Sequence, residues 1–163
     1  MKSVLITGAN RGLGLGMVKY LIKKSNAQNI IATCRSVSES LLPFLKEAAD
    51  SNTDKPIGAQ RAAVINMTSI LASIALNDQG GLYPYRCSKA ALNAATKSMS
   101  IDLKKYNILV ATVHPGWVKT DMGGKNAPLD IDTSVSGIFD TISKLGEADA
   151  GKFLQYDGTT LPW

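Results

Sequence analysis

The chain has 163 residues, of which 45% are hydrophobic and 19% charged, a composition that suits one globular domain with a real core. Its formal charge of +5 and pI near 9.2 would favour anionic ligands, yet no basic run is interleaved with aromatics, which argues against nucleic-acid binding. No apolar run reaches the roughly 18 residues of a membrane span. Cys34 and Cys87 lack metal-ligand spacing and His114 is the sole histidine, so neither a metal site nor a site built from several histidines is supported, and the chain reads as reduced and cytoplasmic.

The first element is Ser3 to Thr7, a short apolar run ending at Gly8, which fits a buried parallel strand rather than a signal peptide. Gly12 to Lys24 sets Leu13, Val18, Leu21 and Ile22 against lysines, the pattern of a helix with one apolar face. Asn29 to Cys34 is a second strand and Ser40 to Asp50 a short helix. A polar loop from Ser51 to Gln60 follows, with Pro56 and Gly58. Ala62 to Met67 is a third strand, Thr68 to Leu82 a loop with Gly80-Gly81, and Pro84 to Lys105 a helix rich in Ala, Leu, Met and Lys. Ile108 to Val113 is a fourth strand stopped by Pro115-Gly116; a helix over Ile131 to Leu145 and a short strand over Lys152 to Tyr156 complete the chain. The strict alternation predicts a Rossmann-like α/β fold, a doubly wound parallel sheet of about five strands in a single domain over 1–163.

The first strand runs into Thr7-Gly8-Ala9-Asn10-Arg11-Gly12-Leu13-Gly14 and then a helix. Glycines let the backbone turn tightly and approach a pyrophosphate, and the helix N-terminus offers free N–H groups to it. A strand-to-helix turn that binds nothing is the other reading. An NAD site usually places an acid about 20 residues on, to hold the ribose 2′-hydroxyl. Here that neighbourhood is Thr33-Cys34-Arg35-Ser36, and the next acid is Glu39. Arg35, with Arg11 in the loop, suits a 2′-phosphate, so NADP(H) is the expected cofactor; a solvated strand-end arginine is the alternative.

Tyr85 and Lys89 are four apart at the start of a helix and share a face. The same spacing recurs at Tyr20 and Lys24, late in the first helix, where it reads as structural. Context separates the two pairs. Thr-Gly-x3-Gly-x-Gly at 7–14, Asn-x-Thr-Ser at 66–69, Tyr-x3-Lys at 85–89 and Pro-Gly at 115–116 occur in the order of the short-chain dehydrogenase/reductase family, which the chain resembles. Tyr83 to Asn93, His114 to Met122 and Gln155 to Thr160 are similar to the C-factor and sniffer-type carbonyl reductases within it.

The resemblance implies that Tyr85 is the general acid toward a small-molecule carbonyl. It implies that Lys89 favours the phenolate and binds the nicotinamide ribose, and that Ser69 orients the carbonyl oxygen. Ser69 lies 16 residues before Tyr85, slightly more than usual in the family; Ser73 is the less favoured alternative. Gly8, Asn10, Arg11, Gly12, Leu13 and Gly14 would hold the pyrophosphate side of the cofactor. Pro115, Gly116, Val118 and Thr120 would line its carboxamide end. Helix 84–105 is of the kind this family uses to form homo-oligomers. Cys87 is expected to pack as a small hydrophobe, and His114 to end a strand without acid–base work. Trp117 and Trp163 fit a substrate pocket or the core equally.

One part of the family pattern has no counterpart. Between Arg35 and Ala62 it would hold further helices and strands, an Asn-Asn-Ala-Gly segment and a catalytic Asn; here only residues 36–61 are present. Leu41 to Lys46 resembles the tail of a long family helix. Either the 62–67 strand keeps its family position beside an empty slot, or it closes up against the first strand in the order 2-1-3-4-5. The closed sheet is the expectation, because it leaves no backbone groups unpaired. It would put helix 40–50 opposite the first helix and shift Ser69, Tyr85 and Lys89 by about 4.8 Å relative to the glycine loop. Such a shift matters, since about 1 Å can cost a hundredfold in rate. Two functions follow: an NADP(H)-dependent carbonyl reductase, or an inactive shortened form that binds nucleotide or dimerises.

Overall fold

The computed structural model describes residues 3–7, 11–24, 29–33 and 41–163. Strand β1 (Ser3–Thr7) pairs in parallel with β2 (Asn29–Thr33), and helix α1 (Gly12–Lys24) lies between them in the chain. A second parallel sheet runs in the order β3 (Ala63–Met67), β4 (Leu109–His114), β5 (Phe153–Gln155). Helix α2 (Leu42–Ser51) precedes β3, α3 (Tyr83–Asp102) joins β3 to β4, and α4 (Ile131–Lys144) joins β4 to β5. The helix expected over 84–105 therefore ends at Asp102, and a 3-10 turn takes Lys104–Tyr106.

Strand β4 is buried at every position, as a near-continuous apolar run covered on both faces requires. Ala111 and Val113 join a core with Val135, Ile138 and Phe139 of α4, Met17 and Leu21 of α1, and Ile6 of β1. Val110 points to the other face, where Ala49 of α2 and Leu103 close a smaller core. Helices α1 and α4 thus cover one face, and α2 the other, which is the expected placement of helix 40–50. Helix α4 starts where the Asp130 carboxylate accepts from the Thr133 N–H at 2.7 Å, an N-cap that satisfies one of the helix's free donors.

The closed sheet does not form. Among the described residues no ladder joins β1 to β3, and the two sheets remain separate. Helix packing accounts for this. A Cβ on Gly16 of α1 would lie 2.5 Å from Ile131 Cγ2 and 3.3 Å from Val135 Cγ2 of α4, so the α1 backbone already rests against side chains of α4. That contact sets how far β1 stands from the second sheet. Meanwhile Val64 is held by the α2 core, and Ile65 and Met67 by the α4 core.

Strand β3 is consequently an edge, half-buried along its whole length. Leu109 N donates to Ala62 O and Thr68 N donates to Val113 O, each at 3.0 Å. Alternate residues of a parallel strand bond to one neighbour, so Ala62, Val64, Asn66 and Thr68 face β4. The backbone groups of Ala63, Ile65 and Met67 face the open side.

Candidate active site

Three residues expected at the site lie around the end of β3. Ser69 follows it and caps a 3-10 turn over Ile70–Ala72, its Oγ accepting from Leu71 N at 3.2 Å. The alternative, Ser73, is committed elsewhere: its Oγ donates to Trp163 O at 3.3 Å and accepts from Leu76 N at 3.1 Å. Tyr85 stands half-buried in the first turn of α3. Lys89 lies one turn on, its Nζ 6.0 Å from the centre of the Tyr85 ring. The same Nζ donates to Met67 O at 2.9 Å, a carbonyl on the open side of β3. Burial lowers the Lys89 pKa from its ordinary value, because desolvation disfavours the ammonium. Tyr85 and Lys89 are therefore brought together, and Lys89 is tied to the end of the strand that leads into Ser69.

A second cluster forms where α1 begins. Gly12 has φ +54°, a left-handed conformation that favours glycine, and a Cβ there would lie 3.7 Å from Thr120 Cγ2. Arg11 Nη1 lies 4.0 Å from Asp121 Oδ2 in an exposed pair, a contact worth little in water. Leu13 packs against the main core, and Gly14 sits half-buried in the first turn. The segment 115–120 is strapped in place. Ser134 Oγ donates to Pro115 O at 2.6 Å, Val118 bridges to Leu129, and Lys119 N donates to Leu129 O at 2.8 Å. Thr120 Oγ accepts from Gly123 N at 3.1 Å. Gly116 has φ +83°, and a Cβ on it would come within 2.4 Å of Leu129 Cδ1.

Between α1 and this segment opens a cleft of about 440 Å³, with Gly12, Gly16 and Lys19 on one side and Lys119 and Asp130 on the other. Asp132 lines it too, so its two lysines face two aspartates, and what suits a phosphate-bearing ligand is the glycine at the start of α1. Gly8, Asn10 and Arg35 lie outside the described residues. Lys19 and Lys119 were not singled out in the sequence, where each is one lysine among many. Gly16 carried a signal in its spacing from Gly12. Among the described residues no hydrogen bond or ion pair links this cluster to the Tyr85–Lys89 cluster.

Other expectations meet mixed outcomes. Cys87 is exposed rather than packed, because α3 buries the face of Asn93, Thr96 and Ser100 instead. Trp117 is exposed, its Nε1 donating to Gly123 O at 2.7 Å, while Trp163 stacks on Phe153 at 5.4 Å. Tyr20 stacks on Phe139 of α4 at 4.9 Å, which fits its structural reading. Among the described residues no group of three or more His, Cys, Asp or Glu could hold a metal, and no helix is long and apolar enough to cross a membrane.

His114 ends β4, buried, and burial lowers its pKa to about 4 against a smaller opposing pull from Asp157. The folded state thus binds its proton less readily than the unfolded chain does. Stability is full above the unfolded value near 6.5 and falls as pH drops toward 4. We expect His114→Gln to flatten denaturant-measured stability between pH 6.5 and 4 by up to about 3 kcal/mol relative to the parent; parallel pH profiles would refute this.

The sequence pattern of the enoyl-(acyl carrier protein) reductase family matches residues 10–136. The C-signal of Myxococcus xanthus is 42% identical over 127 residues, 78% of this chain and 70% of that protein. Across the next five curated relatives the chain spans between 62% and 35% of their length. A short-chain dehydrogenase of Pyricularia oryzae aligns at 33% identity over 248 positions, covering 99% of this chain and 98% of its own. Since this chain has 163 residues, the remaining positions of that relative face gaps inside it, in agreement with the missing segment. Among solved structures, the carbonyl reductase Sniffer of D. melanogaster superposes with a TM-score of 0.93 at 38% identity over 100% of both chains. The NADPH-bound carbonyl reductase from chicken fatty liver superposes with a TM-score of 0.88 at 28% identity, over 100% of this chain and 99% of its own. The glycine turn at α1, the Tyr85–Lys89 helix and these matches agree: the chain belongs to the short-chain dehydrogenase/reductase family, alongside the sniffer-type carbonyl reductases.

Proposed function

We propose that the chain, as one domain over 1–163, is an NADP(H)-dependent oxidoreductase that reduces the carbonyl of a small molecule in the cytoplasm. The observation that supports this most is the meeting of Gly12 with Thr120, 108 positions later, at a cleft edged by Lys19 and Lys119. The similar chicken enzyme is bound to NADPH. Gly8, Asn10, Arg11, Gly12, Leu13 and Gly14 would hold the phosphates, Arg35 the 2′-phosphate, and Pro115, Gly116, Val118 and Thr120 the carboxamide end. The cofactor, when bound, supplies hydride. Tyr85 hands its phenolic proton to the carbonyl oxygen, and Ser69, whose Oγ only accepts within the fold, donates its hydroxyl proton to orient that oxygen. Lys89 holds its ammonium 6.0 Å from the centre of the Tyr85 ring, where it would bind the nicotinamide ribose.

A thermal melt tests the reading. At a hundredfold excess over Kd, NADPH is expected to add about 2.7 kcal/mol, and NADH less. Tyr85→Phe is expected to keep that shift while lowering carbonyl reduction by at least about a hundredfold. No shift with either nucleotide would overturn the reading. A second reading is favoured by the Lys89–Met67 bond and the open β3: a nucleotide-binding or dimerising module, pairing through α3. A shift with NADPH but no turnover in the parent chain would select it.

A further inference from the structure

Thr68 and Asn93 are each 3% exposed and His114 is 8% exposed. Thr68 Oγ1, both polar atoms of the Asn93 amide and His114 Nδ1 have no hydrogen-bond partner. More than about nine in ten buried polar groups are bonded, so this many orphans near one another ask for an occupant.

Register and period bring them to one place. Met67 pairs with Val113, so Thr68 stands beside His114. Val64 and Val110 mark the face shared with α2, and the two-residue period puts Asn66, Thr68, Thr112 and His114 on that same face. Helix α3 covers it. Asn66 Nδ2 donates to Thr96 Oγ1 at 2.8 Å, and Lys89 reaches Met67 O at 2.9 Å. Asn93 lies between those two anchors on the buried face of α3. It is about 4.5 Å along the helix from Thr96, toward the end where Thr68 lies about 6.6 Å beyond Asn66.

We propose that Thr68, Asn93 and His114 form a site for one internal water molecule, which fixes the end of β3 that carries Ser69. The donor and acceptor balance suits water. Asn93 Nδ2 donates to it, His114 Nδ1 accepts from it, and the Thr68 hydroxyl does either. A buried water typically makes about three such bonds. An apolar occupant would leave all of them unmade. The inference rests on the fold alone and stands whether or not the chain turns over a substrate.

The test uses the full chain, labelled with nitrogen-15. A nuclear Overhauser contact between a long-lived water and the Asn93 side-chain amide protons is expected, and its absence overturns the proposal. Thr68→Val and Asn93→Leu, made singly and together, supply a second measurement. Each alone is expected to lower the folding equilibrium constant by about tenfold. The pair should lower it by at least about threefold less than the product, because both changes remove partners of one molecule. Strictly multiplicative effects overturn the proposal, and so does a crystal structure with Asn93 bonded directly to His114.

Discussion

In hydrogen–deuterium exchange, the amides of Val64, Asn66 and Thr68 are expected to outlast those of Ala63, Ile65 and Met67 by about a thousandfold. The two sets alternate along one strand, so ordinary differences in burial or helix cover cannot produce the pattern. Thr68 N is bonded to Val113 O, and the β3–β4 register puts Val64 opposite Val110 and Asn66 opposite Thr112, on the bonded side. The intervening amides point toward the side where no strand is paired among the described residues. An exchange rate tracks the free energy of the opening that exposes the amide. The bonded amides require β3 to leave β4, which carries Val110, Ala111 and Val113 in the fully buried core. The unbonded ones require nothing. Equal protection of both sets would mean that a strand does lie on that side, as in the closed order 2-1-3-4-5, and the two-sheet arrangement would be wrong. Apart from Asn66 the same edge is apolar, with no charge or proline from Ala63 to Met67, features that leave a strand open to added strands.

Gly16→Ala is expected to destabilise the chain by about 2 kcal/mol, although alanine is the better helix former. Within a helix, Gly to Ala normally gains about 1 kcal/mol. Here the new methyl would lie 2.5 Å from Ile131 Cγ2 and 3.3 Å from Val135 Cγ2. The nearer atom is a branch methyl of a residue in the first turn of α4 and has little freedom to swing aside. The clash therefore outweighs the propensity and pushes α1 off α4. Since Gly12, the turn that meets Thr120, belongs to the same helix, the nucleotide-induced rise in melting temperature should shrink with it. Ile131→Ala in the Gly16→Ala background removes the colliding methyl and should restore part of both. Urea unfolding of the parent and the two variants reads the stability. A stabilised Gly16→Ala, or no recovery in the double variant, would show that α1 is not seated on α4 as described.

The local chemistry was legible from the residues alone. Period-two and period-3.6 patterns placed each strand and α-helix to within a few residues, though not the 3-10 turns, because a strand or helix must hide an apolar face whatever its neighbours do. Tyr85 and Lys89 share a face as expected, since residues four apart on a helix do so under any tertiary arrangement. The order of the motifs pointed to the family. What the sequence could not determine is how the sheet deals with its missing middle. Counting unpaired backbone groups favoured a closed sheet, but that count ignores the helices. The backbone-close contact of Gly16 with Ile131, two residues far apart in the chain, holds β1 away from β3, and no local pattern predicts it. Cys87 turned outward and Lys89 was tied to Met67 O for the same kind of reason. Which face of α3 is buried, and which carbonyl of β3 is left open, are set by packing between elements, and only the assembled tertiary structure decides them.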